Sequence, residues 1–242
     1  MPGEPVLVVL FAGLAAALVS GLGALPFSTT RSRPGLAGGA EALASGLMMG
    51  SGYLLMTEAL DRRELLALLG AGLGVLYTYL VQSYTGTLEL DDEPDGDPAH
   101  GYKVLLQGTL HSASEGIAIG VAMVLDLRLG LLVAAALALH NVAEGVALSE
   151  VLRRSGMGVG EAAGLAIVTK TTQPLLALAT FALAPVLERW VAGALGFAAG
   201  CLLFLVLTEL LPSSYRHAST VVIASLVTLS AAAVVLMEDV LR

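Results

Sequence analysis

Gly130-Leu131-Leu132-Val133-Ala134-Ala135-Ala136-Leu137-Ala138-Leu139-His140-Asn141-Val142-Ala143-Glu144-Gly145-Val146-Ala147-Leu148 is the stretch on which the reading of this chain turns. It is too long and too apolar for the surface of a soluble domain, yet it carries an imidazole and a carboxylate one helical turn apart. A helix rises 1.5 Å per residue, so about 20 apolar residues carry it across roughly 30 Å of hydrocarbon. The remainder of the sequence repeats this character. Of 242 residues, 56% are hydrophobic and 13% charged, with mean hydropathy +0.83. That balance provides too little polar surface for a water-soluble fold.

Outward from that stretch, hydropathy divides the chain into about eight apolar spans. They run roughly from 5 to 27, 36 to 58, 64 to 84, 103 to 125, 129 to 151, 157 to 184, 190 to 211 and 218 to 238. The expected fold is all-α, a polytopic membrane protein whose eight-helix bundle forms one transmembrane domain over residues 1–242. Linkers such as Arg31-Ser32-Arg33-Pro34, Asp61-Arg62-Arg63, Arg153-Arg154-Ser155 and Pro212-Ser213-Ser214-Tyr215-Arg216 are short, which makes successive helices antiparallel neighbours. The exception is an acidic, Pro- and Gly-containing loop over residues 85–102, between the third and fourth spans, with the composition of a solvated segment.

Several function classes are disfavoured at once. The formal charge of -8 is concentrated in that loop, in Glu89, Asp91, Asp92, Glu93, Asp95 and Asp97, which argues against nucleic acid as a partner. The single cysteine, Cys201, lies in an apolar run and supports neither a disulfide framework nor a thiolate metal site. The first run, Val6 to Phe27, lacks a basic leader and is read as a retained helix. Basic residues are almost balanced between the two sides. Arg31, Arg33, Lys103, Arg153, Arg154 and Arg216 stand against Arg62, Arg63, Arg128, Arg189 and Arg242. The small excess places both termini outside a cell membrane and the acidic loop inside.

Ionisable side chains within a span cost several kcal/mol unless they pair or line a polar cavity, so each is a functional candidate. The candidates are Glu58, His111, Glu115, His140, Glu144, Lys170 and Glu209. Two of the spans repeat one pattern. His111-Ser112-Ala113-Ser114-Glu115-Gly116 in the fourth matches His140-Asn141-Val142-Ala143-Glu144-Gly145 in the fifth. In each copy His and Glu share a helix face, and the following Gly leaves room for another helix or an ion. A purely structural His–Glu pair has no reason to be duplicated. Two imidazoles and two carboxylates, converging from neighbouring antiparallel helices, make a four-ligand set suited to Zn²⁺ and usable by Cd²⁺, Fe²⁺, Mn²⁺ or Co²⁺.

At these residues the chain resembles the ZIP family of divalent-metal transporters, whose fourth and fifth helices carry motifs of the His-x-x-x-Glu-Gly type. The similarity extends to eight spans with a charged loop after the third, a Met in a Gly-rich second span, and Glu209-Leu210-Leu211-Pro212 closing the seventh. The resemblance implies a transport site at His111, Glu115, His140 and Glu144, with Met48 a weaker ligand candidate; Met48 reads equally well as a core residue. Some ZIP proteins hold a second metal using the residue after each motif His and an acidic residue before a proline in the sixth helix. Here those positions are Ser112, Asn141 and Gln173, all uncharged. Lys170, three residues before Gln173, suggests an ammonium in place of the second metal, paired with Glu115 or Glu144; a lysine snorkelling from a helix end is the other reading.

The expected function is therefore uptake of divalent transition-metal cations into the cytoplasm by alternating access, through a mononuclear site. Glu209 is expected on the path at the cytoplasmic end and Glu58 at the opposite end. Two alternatives remain: an intramembrane metal-dependent hydrolase, though His-Glu-x-x-His is absent, and a metal sensor that does not conduct. The expected partners are membrane lipid and the metal ions, with Gly-rich faces that permit a homodimer.

Overall fold

The structure, a computed structural model, describes residues 4–27, 34–85, 98–154 and 156–241. Its long helices are α1 (Glu4–Phe27), α2 (Pro34–Thr85), α3 (Pro98–Leu125), α4 (Leu127–Arg154), α5 (Val159–Thr169), α6 (Thr172–Leu187), α7 (Val191–Leu205), α8 (Leu211–His217) and α9 (Thr220–Leu241), and no strand occurs among the described residues. Seven helical segments are long and apolar enough to cross a membrane. One of them, Gly38–Thr85, has 48 residues, more than twice the roughly 20 that a crossing needs. It breaks at Arg63, where φ is -157° and ψ 94°, within the expected linker Asp61-Arg62-Arg63. The break divides α2 into two arms and brings the crossings to about eight. Leucines such as Leu65, Leu68, Leu69 and Leu73 in α2, with Leu229 and Leu236 in α9, are exposed on the outside, as a lipid-facing surface requires.

Three boundaries differ from the sequence expectation, and two have the same cause. The span expected to run unbroken from 157 to 184 is interrupted between α5 and α6 at Lys170 and Thr171. Pro174 explains this, because its ring clashes with the carbonyl four residues earlier, that of Lys170, and it offers no N–H. The chain responds with tighter bonds, from Lys170 N to Ile167 O at 3.0 Å and from Thr171 N to Val168 O at 3.1 Å. In the same way Pro212 does not end the seventh span. A widened π-turn over Val206–Leu210 accommodates it, and the expected linker 212–216 is helical as part of α8. The acidic loop is also shorter than expected, since α3 begins at Pro98, a residue suited to a first helical position. Its residues 86–97, with all six acidic side chains, lie outside the described residues, as does the linker containing Arg31 and Arg33.

Small residues organise the packing. Gly46 and Gly50, in the first arm of α2, lie against the backbone of Val227 and Ala231 in α9. Gly70 and Gly74 in the second arm meet Gly193 and Phe197 of α7, whose Gly196 and Gly200 meet Ala67 and Ala71 in return. On the other side, Gly116 and Gly120 of α3 press on Gln173 and Ala177 of α6, while Gly23 of α1 and Gly145 of α4 press on Val142 and Ser20. Each is a small-x-x-x-small approach between parallel helices, the means of association available where lipid gives no hydrophobic drive. The contacts sort the helices into two bundles, α1 with α3, α4, α5 and α6, and α2 with α7, α8 and α9.

Candidate metal centre

A tight hairpin brings the two motifs together. Only Asp126 separates α3 from α4, and its Oδ1 accepts from the backbone N–H of Arg128 at 2.7 Å and of Leu129 at 3.1 Å, capping α4. Counting 11 residues back to Glu115 and 14 forward to His140 puts both about 17 to 21 Å from the turn, well inside the hydrocarbon depth. There His140 Nε2 lies 3.3 Å from Glu115 Oε1 and 3.3 Å from Glu144 Oε2, and His111 Nε2 lies 3.6 Å from Glu115 Oε1. One ligand atom from each of the four residues fits within 4.8 Å of all the others. In a tetrahedral zinc site, bonds of 2.0 to 2.1 Å put neighbouring N and O ligands about 3.3 to 3.5 Å apart, so the closest pairs already have that spacing.

The close atoms do not satisfy one another. His111 Nε2, His140 Nε2 and Glu115 Oε1 are buried and, although they stand as His–Glu pairs at 3.3 to 3.6 Å, none makes a well-formed hydrogen bond. Buried polar atoms left in that state are costly. A cation held among them would satisfy all of them. The glycine after each Glu serves helix packing: a side chain at Gly116 would collide with the Gln173 carbonyl, and one at Gly145 with that of Ser20.

Lys170 completes the cluster. Its Nζ donates to Glu115 Oε2 at 3.0 Å and also to Glu144 Oε2, so it engages both carboxylates, where pairing with one was expected. It is buried, with 1% of its side chain exposed, which rules out snorkelling. The helix break above it, imposed by Pro174, is what turns this residue into the cluster. On the far side of the break Gln173 Oε1 accepts from Asn141 Nδ2 at 3.0 Å, and the same Nδ2 donates to Ala16 O at 2.8 Å. Ser112 Oγ donates to Gly108 O at 2.8 Å within its own helix.

The remaining candidates separate. Met48 is fully buried in the apolar core and does not line the cavity described next. That cavity, with about 50 Å³ of room for water-sized occupants, reaches His111, His140 and Glu144 and is walled opposite by Glu41, Glu209 and Ser213. Glu209 thus lies beside the centre, where both its oxygens accept from Gln107 Nε2 at 3.2 Å and Oε2 also from Gln82 Nε2 at 3.3 Å. Glu58 belongs to a second cavity with Arg62, Asp126, Arg128 and Glu238 at the opposite end of the bundle. The sequence reading passed over Glu41, a charge within an expected span, and Gln107 and Gln82, whose neutral amides do not register in a search for charge.

The class these features define is a polytopic helical protein with a buried cluster of two histidines and two glutamates that could hold a metal ion. The family follows from comparison. The model of the ZIP zinc transporter family matches residues 91–237, more than half of the chain, and the chain belongs to that family. It is 33% identical over 225 residues to an Arabidopsis thaliana protein whose name describes a zinc transporter, a match covering 90% of this chain and 36% of the relative. It is also 33% identical over 116 residues to the zinc transporter GufA of Myxococcus xanthus, 46% of this chain and 44% of that one. In these alignments the chain spans less than half the length of either relative.

Proposed function

We propose that this protein carries divalent transition-metal cations, Zn²⁺ foremost, across the cell membrane into the cytoplasm, binding one ion at a time at His111, Glu115, His140 and Glu144. The observation that carries this reading is the convergence of four donor atoms within 4.8 Å at a buried point in the membrane interior. Family membership and the names of both relatives agree with it. Neutral imidazoles and ionised carboxylates hold the ion, and alternating access exposes the site to each side in turn by movement of one helix bundle against the other. With both termini outside, the cavity reaching Glu209 opens toward the cytoplasm and the one at Glu58 lies on the outer side.

Charge favours a single metal. Two carboxylates and one ammonium give the cluster a formal charge of about -1, which one dication reverses to about +1. A second dication would raise this to about +3 in low dielectric, where unpaired charge is strongly penalised. Lys170 therefore stands in for the second cation, while Asn141 and Gln173, joined by one amide hydrogen bond, bring no charge that would offset another dication. Cd²⁺, Fe²⁺, Mn²⁺ and Co²⁺ fit the same donor set. The hydrolase reading loses footing because the two carboxylates of the donor set are both engaged by Lys170 and the family is one of transporters. A homodimer would have to use faces other than the glycine stripes taken up by internal packing; Gly160 and Gly164, four residues apart on α5, have open space around them.

Reconstitution into liposomes containing a metal-responsive dye tests the proposal. Saturable Zn²⁺ influx, competed by Cd²⁺ more effectively than by Mn²⁺, is the expected result. Zn²⁺ binding without influx would replace the transporter with a sensor.

A further inference from the structure

The cavity beside the donor set has two unlike walls. His111, His140 and Glu144 line one, from α3 and α4; Glu41, Glu209 and Ser213 line the other, from α2, the π-turn and α8. The two carboxylates on the second wall differ sharply. Glu209 is held through both oxygens by the amides of Gln107 and Gln82. Glu41 has Ser213 as a hydrogen-bond partner and His217 close by, yet its Oε2 is enclosed without any partner. A buried carboxylate oxygen lacking a donor costs roughly 1 to 3 kcal/mol or more, and within a membrane span water cannot compensate freely. The unpartnered nitrogens on the opposite wall, His111 Nε2 and His140 Nε2, border the same space.

We infer that Glu41 is a residue of the transport path, a transient oxygen ligand that takes the divalent ion from the His111–His140–Glu144 face as it crosses the cavity. This rests on the transport reading above and adds a step to it. The four-ligand set has no reason to release its ion into an apolar gap. A carboxylate across a cavity with room for roughly one or two waters offers partial replacement of the ligands as they detach. Glu41 suits that step better than Glu209, whose oxygens are already occupied by amide donors. It stands on the other bundle from the donor set, so the ion changes bundle when it changes ligand. A single carboxylate with water holds a dication more weakly than four ligands do, which allows onward release.

The test compares wild type, Glu41→Gln, Glu41→Ala and Glu41→Asp, each measured for equilibrium Zn²⁺ binding in detergent and for Zn²⁺ influx in liposomes. The expected pattern is unchanged stoichiometry and affinity in Glu41→Gln, a saturating flux lowered about tenfold with little change in half-saturation, and recovery in Glu41→Asp. Wild-type flux in Glu41→Gln, or parallel loss of binding and flux as from a distorted fold, would overturn the inference. Absence of influx in wild type would instead remove the transport reading itself, and this step with it.

Discussion

The bundle of α1 and α3 to α6 and the bundle of α2 and α7 to α9 are built by the same device, glycine faces that bring parallel backbones into contact, but they hold different chemistry. The first contains every donor of the candidate centre and Lys170; the second contributes cavity wall. Between them the polar contacts are made by side chains: Gln107 on Glu209, Tyr77 Oη on Leu110 O at 2.6 Å, and Arg128 Nη1 on Leu241 O at 2.7 Å. Backbone-on-backbone packing cannot slide without clashes, whereas the seam is closed by side chains, these few hydrogen bonds together with apolar groups of both bundles that share one core. The comparison teaches that the donor set is tied to its own helices by close backbone packing, and that the seam, where side chains meet, is the place to test for relative movement.

The strongest way to break this contrast is to block one glycine face. Gly116→Leu places a side chain where the Gln173 backbone lies and is expected to leave no folded protein by size-exclusion chromatography, while Gly72→Leu, at a position with open space around it, should behave as wild type. Next come the donors. His140→Ala or Glu144→Gln should weaken Zn²⁺ binding by more than the roughly 10- to 100-fold that outer partners of a metal site are worth, as measured by isothermal titration.

Lys170 sharpens the first bundle's side of the comparison. Lys170→Met leaves two buried carboxylates without their cation, a loss expected to be about 3 to 5 kcal/mol. Thermal unfolding should show the apo variant destabilised and the shift on adding Zn²⁺ larger than in wild type. Acidification is expected to act in the same region with smaller effect. Metal binds neutral imidazole and ionised carboxylate and competes with protons for both, so affinity falls as pH drops. A binding series from pH 7.5 to 5.5 checks the direction. The smallest effect belongs to the seam: Gln107→Ala should change influx by only about fivefold, the worth of a hydrogen bond of roughly 1 kcal/mol, and leave equilibrium binding intact.

Much of this was legible in the sequence because a bilayer imposes simple demands. Crossing length showed the spans, and the cost of charge in lipid marked His111, Glu115, His140, Glu144 and Lys170. The Asp61-Arg62-Arg63 linker was likewise visible as a run of charge, and the structure breaks α2 there. The two prolines were harder to read. Pro174 interrupts its span while Pro212 is absorbed by a π-turn, and the difference depends on neighbouring backbone that hydropathy does not contain. The wall of the cavity was hidden for another reason. Glu41 lies within an expected span but belongs to no repeated motif, and Gln107 and Gln82 are neutral. Their importance arises only when separate helices are placed side by side.

The central claim is one metal ion held by four residues of a single bundle beside a fixed ammonium. Its most direct test is the number of Zn²⁺ ions bound per chain, by elemental analysis of purified protein after dialysis, in wild type, His140→Ala and the double variant Lys170→Ala with Gln173→Glu. The account predicts about one in wild type, none in His140→Ala, and about two once the ammonium is removed and a carboxylate supplied. Two ions in wild type, or one retained by His140→Ala, would contradict it.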